Sequence, residues 1–285
     1  MTGPIQPRWL AARFRAGAPT GLALTAAVLT LATCAWALWS LTLSVAHHTG
    51  IARSDARVLS FFVSHRTAWL TVLAQSLTWP GSGFVLWPVV ILAGLGLWWR
   101  RRRWLPAVLP ALALVGAAAW SLVIKALVGW LRPPAGLRLA TVHGWSFPSQ
   151  HAAQALATWG MLALMAAAGR PRRTRVLLVA GAALLALMTG LTRLYLAAHW
   201  LTDVLGGWAL AGAWDSLLLI CYLLAQQATT ASTARETPAG ARSAGQAGPA
   251  HRGGGVTAMM GRRARGGAHH QRSGGRLPRS LLPGG

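Results

Sequence analysis

Six long apolar runs, at about 21–46, 83–99, 105–128, 152–169, 175–196 and 203–225, constrain this chain more than anything else in it. Crossing a bilayer as a helix takes roughly 20 predominantly apolar residues. The runs therefore predict an all-α, polytopic membrane protein: a six-transmembrane-helix bundle over residues 20–225. A cytoplasmic segment, 1–19, precedes it, and a disordered, basic, Arg/Gly/Ala-rich cytoplasmic tail, 226–285, follows. Composition agrees with this reading. Charged residues make up 11% of the chain, hydrophobic residues 54%, and the mean hydropathy is +0.45. An ordinary soluble domain carries roughly 25% charged residues and is excluded. Arg8, Arg13 and Arg15 precede the first run as they would a secretory signal, but the run is far longer than the roughly 7–15 apolar residues of such a signal. It is read as a retained helix. Between Gly50 and Trp79, Val58, Leu59, Phe61, Phe62 and Val63 mix with Arg53, Asp55, Arg57 and Arg66, ahead of a Pro80-Gly81-Ser82-Gly83 break. That mixture predicts interfacial helices lying on the membrane.

The formal charge of +23 would suggest a nucleic-acid partner if the bases shared one surface. They are spread instead over alternate loops: Arg8/Arg13/Arg15, Arg100–Arg103, Arg170/Arg172/Arg173/Arg175 and the tail. No nucleic acid is expected. By the positive-inside rule these loops are cytoplasmic, which puts 47–82, 129–151 and 193–203 outside a bacterial-type plasma membrane. Arg53, Arg57 and Arg66 fit that rule least well. Trp98, Trp99 and Trp104 bracket one basic loop in the manner of an aromatic belt. Cys34 and Cys221 lie in apolar runs without metal-ligand or disulfide spacing.

Polar residues are scarce, so their clustering is informative. Lys125 and Arg132 stand two helical turns apart at the outer end of the third run, where both cations can face one point. Taken alone, they also suit a snorkelling lysine and a stop-signal arginine. In Phe147-Pro148-Ser149-Gln150-His151, Ser149 is placed as an N-cap, so that the amides of Gln150, His151 and Ala152 point toward any anion. His199 and Asp203 are four apart and stack on one face if the last helix begins near His199. A carboxylate on one imidazole nitrogen leaves the other free to attack, although Asp203 could equally serve as a helix cap. Cations, helix-terminus amides, two histidines and a carboxylate are the inventory of phosphoryl transfer through a phosphohistidine. No carboxylate cluster is available for a two-metal site, and no metal or other cofactor is expected.

Lys125-x6-Arg132-Pro133, Pro148-Ser149-Gln150-His151 and Thr192-Arg193-x5-His199-x3-Asp203 resemble the three ordered motifs of the type 2 phosphatidic acid phosphatase family, KxxxxxxRP, PSGH and SRxxxxxHxxxD. The resemblance implies a metal-independent membrane hydrolase acting on lipid phosphates or on polyprenyl diphosphates such as undecaprenyl diphosphate. Carried over residue by residue, it implies His199 as nucleophile, Asp203 as its partner and His151 as general acid. Lys125, Arg132, Ser149 and Arg193 become phosphate ligands, with Gln150 beside them. Gln150 replaces the family's glycine, and Thr192 its serine. Two other readings stay open: a phosphotransferase passing the phosphoryl group to an alcohol, and a non-catalytic lipid-binding membrane protein. Asp215, about 18 Å along the helix from Asp203, is expected to find a structural pairing near the inner face.

Overall fold

The computed structural model describes residues 21–236. Segment 1–19 and the tail beyond 236 lie outside the described residues. Among the described residues eight α-helices succeed one another: α1 (Gly21–Ala46), α2 (Asp55–Ser64), α3 (Ala68–Leu77), α4 (Gly83–Arg101), α5 (Leu105–Val128), α6 (Gln150–Ala167), α7 (Arg172–Tyr195) and α8 (Leu201–Glu236). Short 3-10 turns join α1 to α2 and α3 to α4. The all-α expectation holds. Helices α2 and α3 occupy the stretch read as interfacial, and α8 continues past 225, where the tail was expected to begin.

Among the described residues five helices, α1, α4, α5, α7 and α8 as far as Thr229, are long and apolar enough to cross a membrane. The run at 152–169 does form a helix, but α6 is not among the five. The reason is chemical: its 18 residues include Gln150, His151, Gln154 and Thr158. This is the helix most enclosed by the others, packing on α4, α5, α7 and α8, so its polar side chains need not meet lipid.

The packing is built from small residues. Leu109, Ala113, Ala117, Ser121 and Lys125 recur every fourth position on α5 and are all buried. They face Ala153, Ala157, Met161 and Met165, the matching row on α6, and Leu210 and Ala211 of α8 complete the cluster. In a membrane, where lipid tails are as apolar as leucine, close approach of small residues supplies the van der Waals energy that holds helices together. The same four-residue row that seals α5 against α6 delivers Lys125 to the inside of the bundle.

Helices α2 and α3 are stitched to the bundle by polar contacts. Asp55 accepts hydrogen bonds from the Thr202 amide at 3.0 Å and its hydroxyl at 2.6 Å. Arg66 donates to the Tyr195 carbonyl through Nε (3.2 Å) and Nη2 (2.9 Å), and the Tyr195 hydroxyl accepts from the Thr67 amide at 3.1 Å. Arg66, anomalous for topology, is therefore a structural residue. The pairing expected for Asp215 is not found. Its carboxylate lies against Gly160 of α6, and Oδ1 is buried without a hydrogen-bond partner among the described residues.

Candidate active site

A cavity of about 650 Å³ opens at one end of the bundle, where α4 and α6 begin and α5 and α7 finish. Lys125, Arg132, Gln150, His151, Arg193 and His199 all line it. Asp203 and Ser149 stand behind this wall, each fully buried.

Helix α7 ends at Tyr195, and the chain reverses through Ala197 in the left-handed region (φ +50°). The Arg193 carbonyl then accepts from the amides of Ala198 (3.0 Å) and His199 (3.3 Å), which sets His199 beside Arg193. Helix α8 starts at Leu201, so His199 precedes it rather than lying within it. The expected pair nevertheless forms: His199 Nδ1 is 3.1 Å from Asp203 Oδ2. The two contacts read for Asp203 coexist, because Oδ2 also accepts from the Trp200 amide at 2.8 Å in the manner of a helix cap. Ser146 Oγ donates to the same oxygen and lies 3.4 Å from His199 Nδ1.

The imidazole tautomer is set by its neighbours. Arg132 Nη1 lies 3.1 Å from His199 Nε2. A guanidinium can only donate, so Nε2 is the acceptor and the ring proton sits on Nδ1, facing Asp203. Burial, together with the positive charges of Arg193, Arg132 and Lys125, holds the His199 pKa well below the ordinary value of 6.5. Its ring is neutral, with the lone pair of Nε2 turned toward the cations.

Arg132 is not on a helix, as its spacing from Lys125 suggested. Gly129 (φ +62°) ends α5 by donating its amide to the Lys125 carbonyl, and Arg132 reaches the cavity from the loop. There it donates to the carbonyls of Gly144 (2.9 Å), His143 (3.2 Å) and Ala198 (2.8 Å). Lys125 Nζ donates to the carbonyls of Trp145 (2.7 Å) and Ser146 (2.8 Å). Two of its three protons are thus used, leaving one for a ligand. Arg193 is the least committed cation: Nη1 donates to Thr78 Oγ1 at 3.0 Å, while Nε is buried without a partner among the described residues.

Ser149 caps α6 as expected, accepting from the Ala152 amide at 3.5 Å, so that one of the three predicted anion-facing amides is already engaged. Its own amide donates to the Asp203 carbonyl at 2.8 Å. The Thr192 hydroxyl turns back on its own helix, donating to the Thr189 carbonyl at 2.7 Å. His151 stands in the first turn of α6, and its ring lines the cavity. Sequence reasoning missed Ser146, Thr78 and Gln154, a buried cavity-lining residue one turn below Gln150. It also missed Gly206-Gly207. A Cβ on Gly207 would lie 2.6 Å from the Ser149 carbonyl oxygen, and one on Gly206 would lie 2.4 Å from the Phe147 ring. Those two glycines let the loop bearing the cap residue lie flat on α8, and a glycine pair three residues after Asp203 was the available signal.

The cavity thus offers cationic donors around a neutral, oriented imidazole, with a second histidine across from it. The sequence profile of the PAP2 superfamily matches residues 104–227, which contain all three clusters. Residues 104–227 form a PAP2 superfamily region. It is similar to phosphatidylglycerophosphatase B of Bacillus subtilis (strain 168), with 29% identity over 178 residues, covering 61% of this chain and 86% of the relative. Its fold is similar to the crystal structure of a transmembrane PAP2-type phosphatidylglycerolphosphate phosphatase from Bacillus subtilis, with a TM-score of 0.61 and 24% identity, covering 70% of this chain and 96% of that one. The chain is a PAP2 phosphatase, hence a hydrolase, and a multi-pass membrane protein.

Proposed function

We propose that the protein hydrolyses a lipid phosphate monoester or a polyprenyl diphosphate through a phosphohistidine on His199, without a metal. The hydrogen-bonded line from Asp203 through His199 to the cation-lined cavity carries this reading. Nε2 of His199 attacks the terminal phosphorus in line as its bond to the leaving oxygen breaks, and His151 delivers a proton to that oxygen, which departs as the alcohol of a monoester or as the lipid monophosphate of a diphosphate. Arg193, Lys125 and Arg132 stabilise the charge on the equatorial oxygens. Imidazolium character grows on His199 during attack, and Asp203 offsets it. In the second half, His151 takes a proton from water, whose oxygen attacks the phosphohistidine and releases phosphate. Arg132 has a further part. Its Nη1 occupies the lone pair of Nε2, and an arriving phosphate draws the guanidinium toward itself and frees the nucleophile.

The apolar side of the cavity supports a lipid substrate. Trp87 of α4 and Leu122 of α5 line it and are also exposed on the outer surface of the bundle, so a lipid tail can lie between them while the headgroup meets the cations. In this reading α6 is the sixth crossing, its polar face hidden by its neighbours, and the catalytic end of the bundle is extracytoplasmic.

The histidines have separable duties. His199→Ala is expected to abolish turnover and covalent labelling by radioactive substrate together. His151→Ala is expected to slow cleavage of a lipid alkoxide by roughly 10²–10⁴-fold and to affect a nitrophenyl phosphate, whose leaving group needs no proton, far less. Equal losses on both leaving groups would remove His151 from the acid role, and labelling that persists in His199→Ala would remove the nucleophile. Phosphate release across a panel of phosphatidylglycerol phosphate, phosphatidic acid and polyprenyl diphosphates, with and without an alcohol acceptor, identifies the lipid and separates hydrolase from transferase.

A further inference from the structure

The end of the bundle remote from the catalytic cavity carries a second, two-part pocket. An apolar groove of about 410 Å³ runs between α4, α6 and α7, walled by residues such as Val89, Trp159, Leu162 and Leu178. It shares Ala93, Leu97 and Ala166 with a polar cavity of about 700 Å³ that is lined by Arg100, Arg101 and Arg170. The two therefore adjoin along these residues, the one apolar along its length and the other cationic. Arg100 and Arg101 close α4 while Ser82 and Gly83, at its start, line the catalytic cavity. At about 1.5 Å per residue, the mouths lie about 28 Å apart, at opposite ends of a helix long enough to cross the membrane.

The arginines at this mouth are not neutralised. Among the described residues the one carboxylate within ion-pair distance of a basic side chain is Asp203, which faces the neutral ring of His199. Arg101 has a structural duty, since its Nη2 donates at 2.9 Å to the carbonyls of both Met165 and Ala168 and so seals the end of α6. Arg100 and Arg170 make no such side-chain bonds among the described residues, and their charges are available. Space is available too, because a Cβ on Gly181, which lines the groove, would meet nothing within 4 Å.

We propose that this pocket binds an anionic phospholipid of the leaflet opposite the catalytic cavity, with the headgroup phosphate between Arg100, Arg101 and Arg170 and an acyl chain along the groove beside Trp159. A basic pocket between transmembrane helices is the physical form that recognition of an anionic headgroup takes. A free anion would use the mouth alone, and a zwitterionic lipid would bring a cation toward the arginines along with its phosphate; an anionic lipid satisfies both halves without that repulsion. The bound lipid is not a substrate, because neither histidine of the catalytic cavity lines this pocket. Its effect is to bridge α4, α6 and α7 at the end where α6 stops.

The test is native mass spectrometry of the full chain in nonionic detergent, titrated with phosphatidylglycerol, a phosphodiester that offers no monoester to hydrolyse. One tightly retained phosphatidylglycerol is expected. Retention should weaken at least about fivefold in the Arg100→Gln/Arg170→Gln double variant, which keeps Arg101. It should weaken similarly in Gly181→Leu, whose Cβ has open space and whose side chain occupies the groove. Both variants should hydrolyse a soluble, short-chain phosphomonoester at the wild-type rate, which establishes that they fold. Phosphatidylcholine should be held more weakly than phosphatidylglycerol, and glycerol phosphate should not displace the lipid. Equal retention of phosphatidylglycerol by wild type and both variants, equal retention of phosphatidylcholine, or displacement by glycerol phosphate would each overturn the proposal.

Discussion

His199 shows how a single ring can be prepared by charge. Burial first, and then three nearby cations, raise the cost of a positive charge on this imidazole, so the ring stays neutral and nucleophilic where a solvent-exposed histidine would take up a proton. The thermodynamic consequence has a definite sign. The unfolded chain protonates this histidine near the ordinary value of 6.5, while the folded chain does so only well below it. Unfolding therefore takes up a proton in the window below pH 6.5, and stability falls as pH falls through it. Thermal unfolding in detergent micelles between pH 7.5 and 5 should show this acid loss, and His199→Gln should lessen it. An unchanged slope in the variant would mean that His199 is already charged in the fold. Ser146 belongs to the same scale. Ser146→Ala removes a donor from Asp203 Oδ2 and should lower kcat by roughly tenfold, about 1.4 kcal/mol, with KM little changed. A KM effect of the same size would place the hydroxyl in binding instead.

At the scale of elements, the six apolar runs were legible because hydropathy and length alone define them, and the His199–Asp203 pair because a four-residue spacing survives even when the helix begins two residues later. What was not legible depends on tertiary contact. The exit of Arg132 from α5 depends on the left-handed Gly129, the duty of Ser146 on a loop folding over α8, and that of Arg66 on a carbonyl more than a hundred residues away. Asp55 is the plainest instance: it is one of four acids in the chain, noticed only as a charge in an interfacial stretch, yet it ties α2 to the first turn of α8. Burial raises its pKa, and its two bonds from Thr202 oppose that rise without reversing it. Asp55→Ala removes two hydrogen bonds to a charged group, at roughly 1.5–3 kcal/mol each. Asp55→Asn can still accept from the Thr202 amide and donate to its hydroxyl. Denaturant melts in micelles should therefore show a loss of about 3 kcal/mol or more for the alanine variant and a much smaller one for the asparagine. Equal losses would mean that the charge itself holds the junction.

For the whole molecule, arginine distribution predicts that the catalytic and basic mouths face opposite compartments. An epitope at residue 140 should be reached by antibody from outside intact cells, whereas one at residue 172 should be reached only after permeabilisation. The reverse pattern would turn the molecule over and put the catalytic cavity in the cytoplasm. Placing a lysine inside such a bundle is also a problem of phase, and the buried row Leu109, Ala113, Ala117, Ser121, Lys125 is its solution. Each added residue turns the remainder of a helix by about 100°, so one alanine inserted after Ala117 would swing the ammonium group out of the cavity toward lipid while leaving α5 just as apolar. Two full turns, about seven residues, would restore the angle but carry the charge about 10 Å too far along the axis. The helix therefore has no tolerated change of length on that stretch, and variation in this chain's length is confined to places where no clock is running: the loop after Pro134 and the basic links between helices.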